Sequence, residues 1–429
     1  MQRALRIGFV HPSLGIGGAE RLVIDAALSL QRAGHRVTIF TSDFNPQACF
    51  EEVRDGTLEV RAFGNFLPLH IANRLRAPCM IFRACYVGLR VAMRREHFDL
   101  IFVDVVSQSI AMLRLMTSAK LIFYCHFPDQ LLDPHHGGLY QVYRAPINWS
   151  EQTTTAMADL LLVNSEFTAS AVRRVFPHLG ALAPQVLHPG VEASRFESNC
   201  YASSGDVITI LSIGRFHRGK NARLAIEAFA ILERLLTPGV FKRTRLLIAG
   251  GFDSRIAEGP ATLNELETAA SRLGVAAQVE FRRSPSDAEL NDLLAHCRCL
   301  VHTAEYEPFG YAPIEAMAAG RPVVATNSGG PMETIVDGVT GFLRAPKADE
   351  FAAALALLVA DPAAAERMGK AAREHVMMNF SLAVFQARLN QMVQNTVDGN
   401  AATIPRVQGA PSPPMAFGTP PKPPNADRD

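Results

Sequence analysis

Glu307 and Glu315 are the residues whose type and spacing most directly suggest chemistry. Seven residues separate them, and Pro308 and Gly310 break the chain in between. Pro313 stands where a helix should begin, because a first turn has no use for its missing N–H. That predicts Glu315 at about the third helical position, facing the positive end of the helix dipole. Gly320 and Pro322 then stop the helix, and 323–326, Val-Val-Ala-Thr, reads as a short buried strand. A loop, a helix N-terminus and a strand therefore meet at one point. Free backbone N–H groups there suit an anion, and Glu315 suits a pair of sugar hydroxyls. Taken alone, the two glutamates also fit a general acid and base.

Three other stretches carry matching chemistry. Gly214-Arg215-Phe216-His217-Arg218-Gly219-Lys220-Asn221 follows an apolar run and precedes a helical one. Arg215 offers phosphate oxygens a planar fork and Lys220 a compact charge. No Ser or Thr follows the lysine, so this is not a magnesium-holding P-loop; the bland reading is a solvated basic turn. The first loop, 11–20, holds Gly17 and Gly18 between a strand and a helix, where close backbone approach to a ligand is possible. With Asp43 at the end of the second strand it also resembles a dinucleotide fingerprint, but Glu20 replaces the third glycine and would stand against a pyrophosphate. His126 ends a strand beside Pro128, at the edge where ligands of such sheets bind. It is either a hydrogen-bonding group for sugar or phosphate or a capped core histidine. Ser328-Gly329-Gly330-Pro331 repeats the strand-to-helix theme, either as a nucleotide seat or as an ordinary turn.

These residues need a scaffold, and the apolar pattern supplies one. Short runs rich in Val, Ile, Leu and Phe recur at 5–10, 36–41, 58–63, 100–103, 121–125 and 160–163. They recur again at 208–213, 246–250, 279–282, 300–303, 323–326 and 342–343, alternating with helical periodicity. Such alternation means right-handed βαβ units and two parallel sheets, an α/β fold of two doubly wound halves. The expected division is 1–195, 196–380, a closing helix at 381–396, and a Pro-rich tail at 397–429 expected to be disordered. Ligands would bind in a cleft facing the carboxyl ends of both sheets.

At 429 residues and 48% apolar composition the chain suits two cores. A net charge of +1 gives no basic field for nucleic acid. Seven cysteines without a C-x-x-C pair read as reduced thiols of a cytosolic compartment. No run fits a membrane span or signal peptide. Residues 78–95 form a basic amphipathic stretch with Arg83, Arg90 and Arg94 on one face, suited to a membrane surface or to packing with its arginines in water. No paired aspartates of the D-x-D kind occur inside either half, so a divalent metal is not called for, and Arg215 and Lys220 can neutralise a diphosphate.

With its flanks, the Glu307–Glu315 stretch resembles the retaining GT-B glycosyltransferases of family 4. Gly214-Arg215, Lys220-Asn221 and Gly17-Gly18-Ala19-Glu20 fit the same family, in its order, over about 5–393. Tyr124-Cys125-His126-Phe127-Pro128-Asp129, the 143–149 run Tyr-Arg-Ala-Pro-Ile-Asn-Trp, and 163–168 look like the α-1,3/1,6-mannosyltransferases of N-glycan assembly. Pro308 and Gly214 depart from that narrower pattern, which carries His and Asn. The resemblance implies GDP-mannose as donor substrate, no cofactor, a lipid-diphosphate-linked oligosaccharide as acceptor, and a peripheral place on the cytosolic face of the endoplasmic reticulum. It implies that Glu315 holds the ribose and Arg215 and Lys220 the diphosphate. Phe309, Gly310 and Tyr311 would meet the sugar or phosphate through their backbone. Glu307 would lie at the sugar ring as a catalytic group, with His126, Gly17 and Gly18 closing from the first half. The competing readings are a related transferase with a UDP-sugar donor, an NAD-dependent oxidoreductase, and a scaffold acting through its Pro-rich tail.

Overall fold

The computed structural model describes residues 3–15, 17–45, 49–71, 75–94, 96–132, 137–180, 182–192, 194–196, 207–252 and 258–400. Cys200 and the Pro-rich segment 401–429 lie outside them. The chain divides into two compact units. The first runs to Gly190 and resumes at Phe385 in the last helix, and the second is Val191–Val384. The division falls before 195 because Val191 already belongs to the second unit, bridging to Ser381.

The first unit is built on β1 (Arg6–Leu14), β2 (Arg36–Phe44), β3 (Glu59–Ala62), β4 (Leu100–Asp104), β5 (Lys120–Cys125), β6 (Leu160–Val163) and β7 (Gln185–Val186). Their order is β3-β2-β1-β4-β5-β6-β7, every pair parallel. The second unit holds β8 (Ile208–Ile213), β9 (Thr244–Gly250), β10 (Val279–Arg283), β11 (Cys299–His302), β12 (Val323–Thr326) and β13 (Gly341–Arg344), ordered β10-β9-β8-β11-β12-β13 and again all parallel. Both orders reverse direction beside the first strand of the unit, the switch point of a doubly wound sheet. Helices cover both faces of the second sheet. Ile210, Leu246, Ile248, Val301 and Val324 enter one core and Leu211, Leu247, Ala249, Leu300, Val323 and Ala325 the other. Alternate residues of one strand thus serve opposite cores, which is why these strands read as unbroken apolar runs.

Several expectations need correction. β1 does not stop at Val10 but runs to Leu14, because His11, Ser13 and Leu14 continue the ladder with β2. Pro12 is tolerated there because β4 pairs only with Ile7–Val10. The two 18-residue helices are among those not placed individually from the sequence. Gly138–Thr155 contains Pro146, which reads as a break, and Pro362–Asn379 follows its predecessor with only the capping Asp361 between them. The Arg76–Ala92 helix has Arg83 not on a wet face but 4% exposed. Its guanidinium donates to Ser42 Oγ, to Ser42 O and to Leu67 O, tying the 64–71 loop to the helix. That region also shows apolar side chains to solvent: Phe66, Leu69, Ile71, Leu75 and Phe82 are all exposed. Among the described residues six cysteines form no disulfide, and no helix is long and apolar enough to cross a membrane.

Candidate active site

The loop after β8 and the loop after β11 meet at the carboxyl edge of the second sheet. Lys220 places its ammonium on the Glu307 carboxylate. Thr303 Oγ1 donates to Lys220 O at 3.0 Å and Asn221 Nδ2 to Glu305 Oε1 at 3.3 Å, so the two loops are stitched on both sides of the pair. Burial opposes charge on Glu307, but Lys220, His302 and Arg215 together outweigh it, and the carboxyl is held below its ordinary value. Glu307 is therefore an anion at neutral pH, facing two cations. Arg215 itself is exposed, with no carboxylate partner among the described residues.

His302 completes this cluster, and the sequence reading passed over it. It is the last residue of β11, 5% exposed, with Nε2 3.6 Å from Glu307 Oε2, too long for a hydrogen bond. Burial and the neighbouring Lys220 push it down to about 4, so it is neutral. Nothing local in Leu300-Val301-His302-Thr303 marks it; only the strand's end places it beside the glutamate.

The Glu307 loop is held from behind by glycines. A Cβ at Gly329 (φ 67°) would fall on Glu307 O, and one at Gly330 on Phe309 O. Gly330 N donates to Glu307 O at 2.8 Å and Ser328 Oγ to Glu305 O at 2.6 Å. These residues therefore support the loop. Phe309 is 2% exposed, its ring edge-on to Tyr311 and tilted against Phe380, so only its backbone can face a ligand. Gly310 takes φ 95°, the left-handed region that favours glycine, and caps the Tyr311–Ala318 helix. Hence the helix starts earlier than expected. Pro313 is its third residue, still within the turn whose N–H groups need no partner, and Glu315 is its fifth. Glu315 is not part of the Lys220–Glu307 pair. Burial, with Asp287 adding and Arg195 opposing, pushes it up to about 7.

In the first unit, His126 follows β5 and its Nε2 is 2.9 Å from Asp104 Oδ1. Asp104 ends β4 and is 1% exposed; its Oδ2 is 2.8 Å from His11 Nδ1. Neither partner was singled out from the sequence. Gly17, extended at φ −172°, caps the Gly18–Arg32 helix, and a Cβ there would fall on the Glu20 carboxylate. Part of the space that Gly17 opens is thus taken by an acid of the same helix. That acid at the helix start opposes a dinucleotide pyrophosphate.

Known proteins match this arrangement. Residues 195–375 fit the model of glycosyl transferases group 1, and residues 16–195 that of glycosyltransferase family 4. The fold superposes on sucrose-phosphate synthase from Thermosynechococcus elongatus with a TM-score of 0.77, 22% identity, and coverage of 92% of this chain and 100% of that one. Anabaena Alr3699/HepE, solved with UDP and glucose, gives 0.67 at 21% identity, covering 91% and 100%. Two parallel Rossmann-like units with such matches define a glycosyltransferase of GT-B architecture, which removes the oxidoreductase reading. The human α-1,3/1,6-mannosyltransferase ALG2 is 40% identical over 395 residues, 90% of this chain and 94% of that protein. The Rhizomucor pusillus ALG2 is 38% identical over 418 residues, covering 91% and 92%. The chain belongs to this α-1,3/1,6-mannosyltransferase family.

Proposed function

We propose that the protein moves mannose from GDP-mannose to a lipid-diphosphate-linked oligosaccharide, with α-1,3 and then α-1,6 linkage, in N-glycan precursor synthesis. The observation that carries this is the Lys220–Glu307 pair with Arg215 facing it: one sugar-side anion between cations suited to a diphosphate. The incoming diphosphate competes with Glu307 for Lys220, so the ammonium shifts toward phosphate as the donor seats. Arg215 and Lys220 then stabilise the charge that grows on the diphosphate as its bond to the anomeric carbon breaks. The acceptor oxygen bonds that carbon from the same face and passes its proton to the departing phosphate oxygen, so the α configuration is retained. Glu307, released from full pairing, orients the sugar and stabilises its positive charge. Glu315 holds the ribose hydroxyls, and no metal takes part.

The acceptor's lipid favours a peripheral place at the cytosolic face of the endoplasmic reticulum. The exposed apolar group Phe66, Leu69, Ile71 and Phe82 supports contact with a membrane surface, flanked by Arg76 and Arg90, which are exposed too. Donor choice is tested by competition. GDP should protect the enzyme and inhibit transfer, and UDP should not; protection by UDP alone would replace mannose with a UDP-linked sugar.

A further inference from the structure

The first unit contains a polar device that the donor-side chemistry leaves unexplained. Asp104 is almost fully enclosed, yet it serves two histidines from two other strands, His11 on β1 and His126 after β5. Both contacts are short, 2.8 and 2.9 Å, and each uses a different carboxylate oxygen. A buried carboxylate accepts only, so each histidine turns an N–H inward. His126 thereby commits Nε2 and keeps Nδ1 for a ligand; its side chain is 23% exposed whereas His11 is 3%.

The backbone around Asp104 is bent to fit. Val105 has φ 65°, and Val106 N closes back on Asp104 O at 2.8 Å. A β-branched residue in this region is rare, and such a turn costs on the order of 1–3 kcal/mol. The other side is pinned as well: Asn164 Nδ2 donates to His126 O at 3.0 Å, and the Tyr124 ring lies 5.0 Å from the imidazole. Strain of this kind persists only where surrounding bonds over-determine it, here the two histidine contacts.

We propose that Asp104, braced by His11 and the turn at Val105, is the positioning residue of this site: it fixes His126 so that Nδ1–H donates to an anionic oxygen of the bound ligand. This rests on the transferase reading above and names the phosphate or phosphate-linked oxygen as the chemistry His126 meets. The charges around the imidazole agree. Burial disfavours its cation, but Asp104, with Glu20 from the first helix adding, more than compensates, and His126 stands above the ordinary histidine value. Among the described residues His11 is the other ring on Asp104. Glu151, from the Gly138–Thr155 helix, faces neighbouring Cys125 and is itself pushed up to about 7 by burial, so it adds little negative charge below that pH.

The test is a titration of the His126 imidazole by NMR in the full chain, beside the pH profile of kcat/KM. Asp104→Asn keeps shape but cannot accept from both rings. It should lower the His126 midpoint by about one unit and move the alkaline limb of the profile down equally. His11→Ala removes the competing donor, leaves the whole carboxylate to His126, and should raise the midpoint. That second variant keeps the test usable if the first does not fold. In a His126→Ala background, Asp104→Asn should cost no further activity. An unmoved midpoint in either folded variant would overturn the proposal. So would a shifted midpoint with an unchanged profile, while absence of transfer from GDP-mannose in the wild type would overturn the donor assignment alone.

Discussion

At the residue scale, transfer turns on Lys220 and Glu307. Lys220→Ala leaves an enclosed carboxylate without its cation and removes a diphosphate contact. We expect transfer to fall at least ~100-fold, about 3 kcal/mol of transition-state stabilisation, and thermal stability to fall with it. Glu307→Gln added to that variant should restore stability but not activity, which a double-mutant cycle in Tm and kcat checks. Glu315 makes a pH prediction. Its folded value, about 7, lies above its ordinary 4.5, so the folded state holds a proton that the unfolded state loses first. Its contribution is full below 4.5 and is lost as pH rises toward 7. Glu315→Gln should therefore be more stable than wild type at pH 8, by ~3 kcal/mol, and indistinguishable at pH 4, while binding donor less well. Both glutamates and Lys220 were visible as types at telling places. Their contact was not, since 87 positions separate Lys220 from Glu307. His302 and Asp104 were invisible for the same reason: neither has a flanking turn signal such as the Pro128 beside His126, and the groups that act on them, Lys220 on His302 and two histidines on Asp104, lie on elements distant in sequence.

At the element scale, the glycines after β12 decide where the Glu307 loop lies. Gly330→Ala drives a methyl into Phe309 O, and backbone cannot swing aside as a side-chain tip can. We expect kcat to fall roughly 10- to 100-fold, since a displacement of about 1 Å is costly in a site of this kind, with far-ultraviolet circular dichroism unchanged. The sequence showed a Gly-Gly-Pro turn but not what it touches. β6, β8 and β12 match their apolar runs residue for residue, because each is buried on both faces. The Gly138–Thr155 helix escaped notice because Pro146 reads as a break and its polar inner residues, Arg144 and Glu151, find a shared partner only in the fold: Arg144 donates to the Asp129 carboxylate, and Asp129 N donates to Glu151.

At the scale of the whole molecule, the alternation of runs gave two parallel sheets, and the observed strand orders are those of doubly wound units. The last helix, Leu382–Asp398, returns to the first unit, where Leu389, Met392 and Val393 are buried and Asn390 Oδ1 meets His35 Nε2 at 2.9 Å. A chain ending at 400 should keep its Tm and its transfer activity. One ending at 381 should lose both, which separates the transferase from a scaffold working through the Pro-rich segment. The most direct measurement is incubation of the purified protein with GDP-mannose and a synthetic lipid-diphosphate trisaccharide, followed by linkage analysis of the product. The account predicts added mannose in α-1,3 linkage, followed by a second in α-1,6 linkage, and none with Lys220→Ala. Normal transfer by that variant, or a product with inverted β linkage, would contradict it.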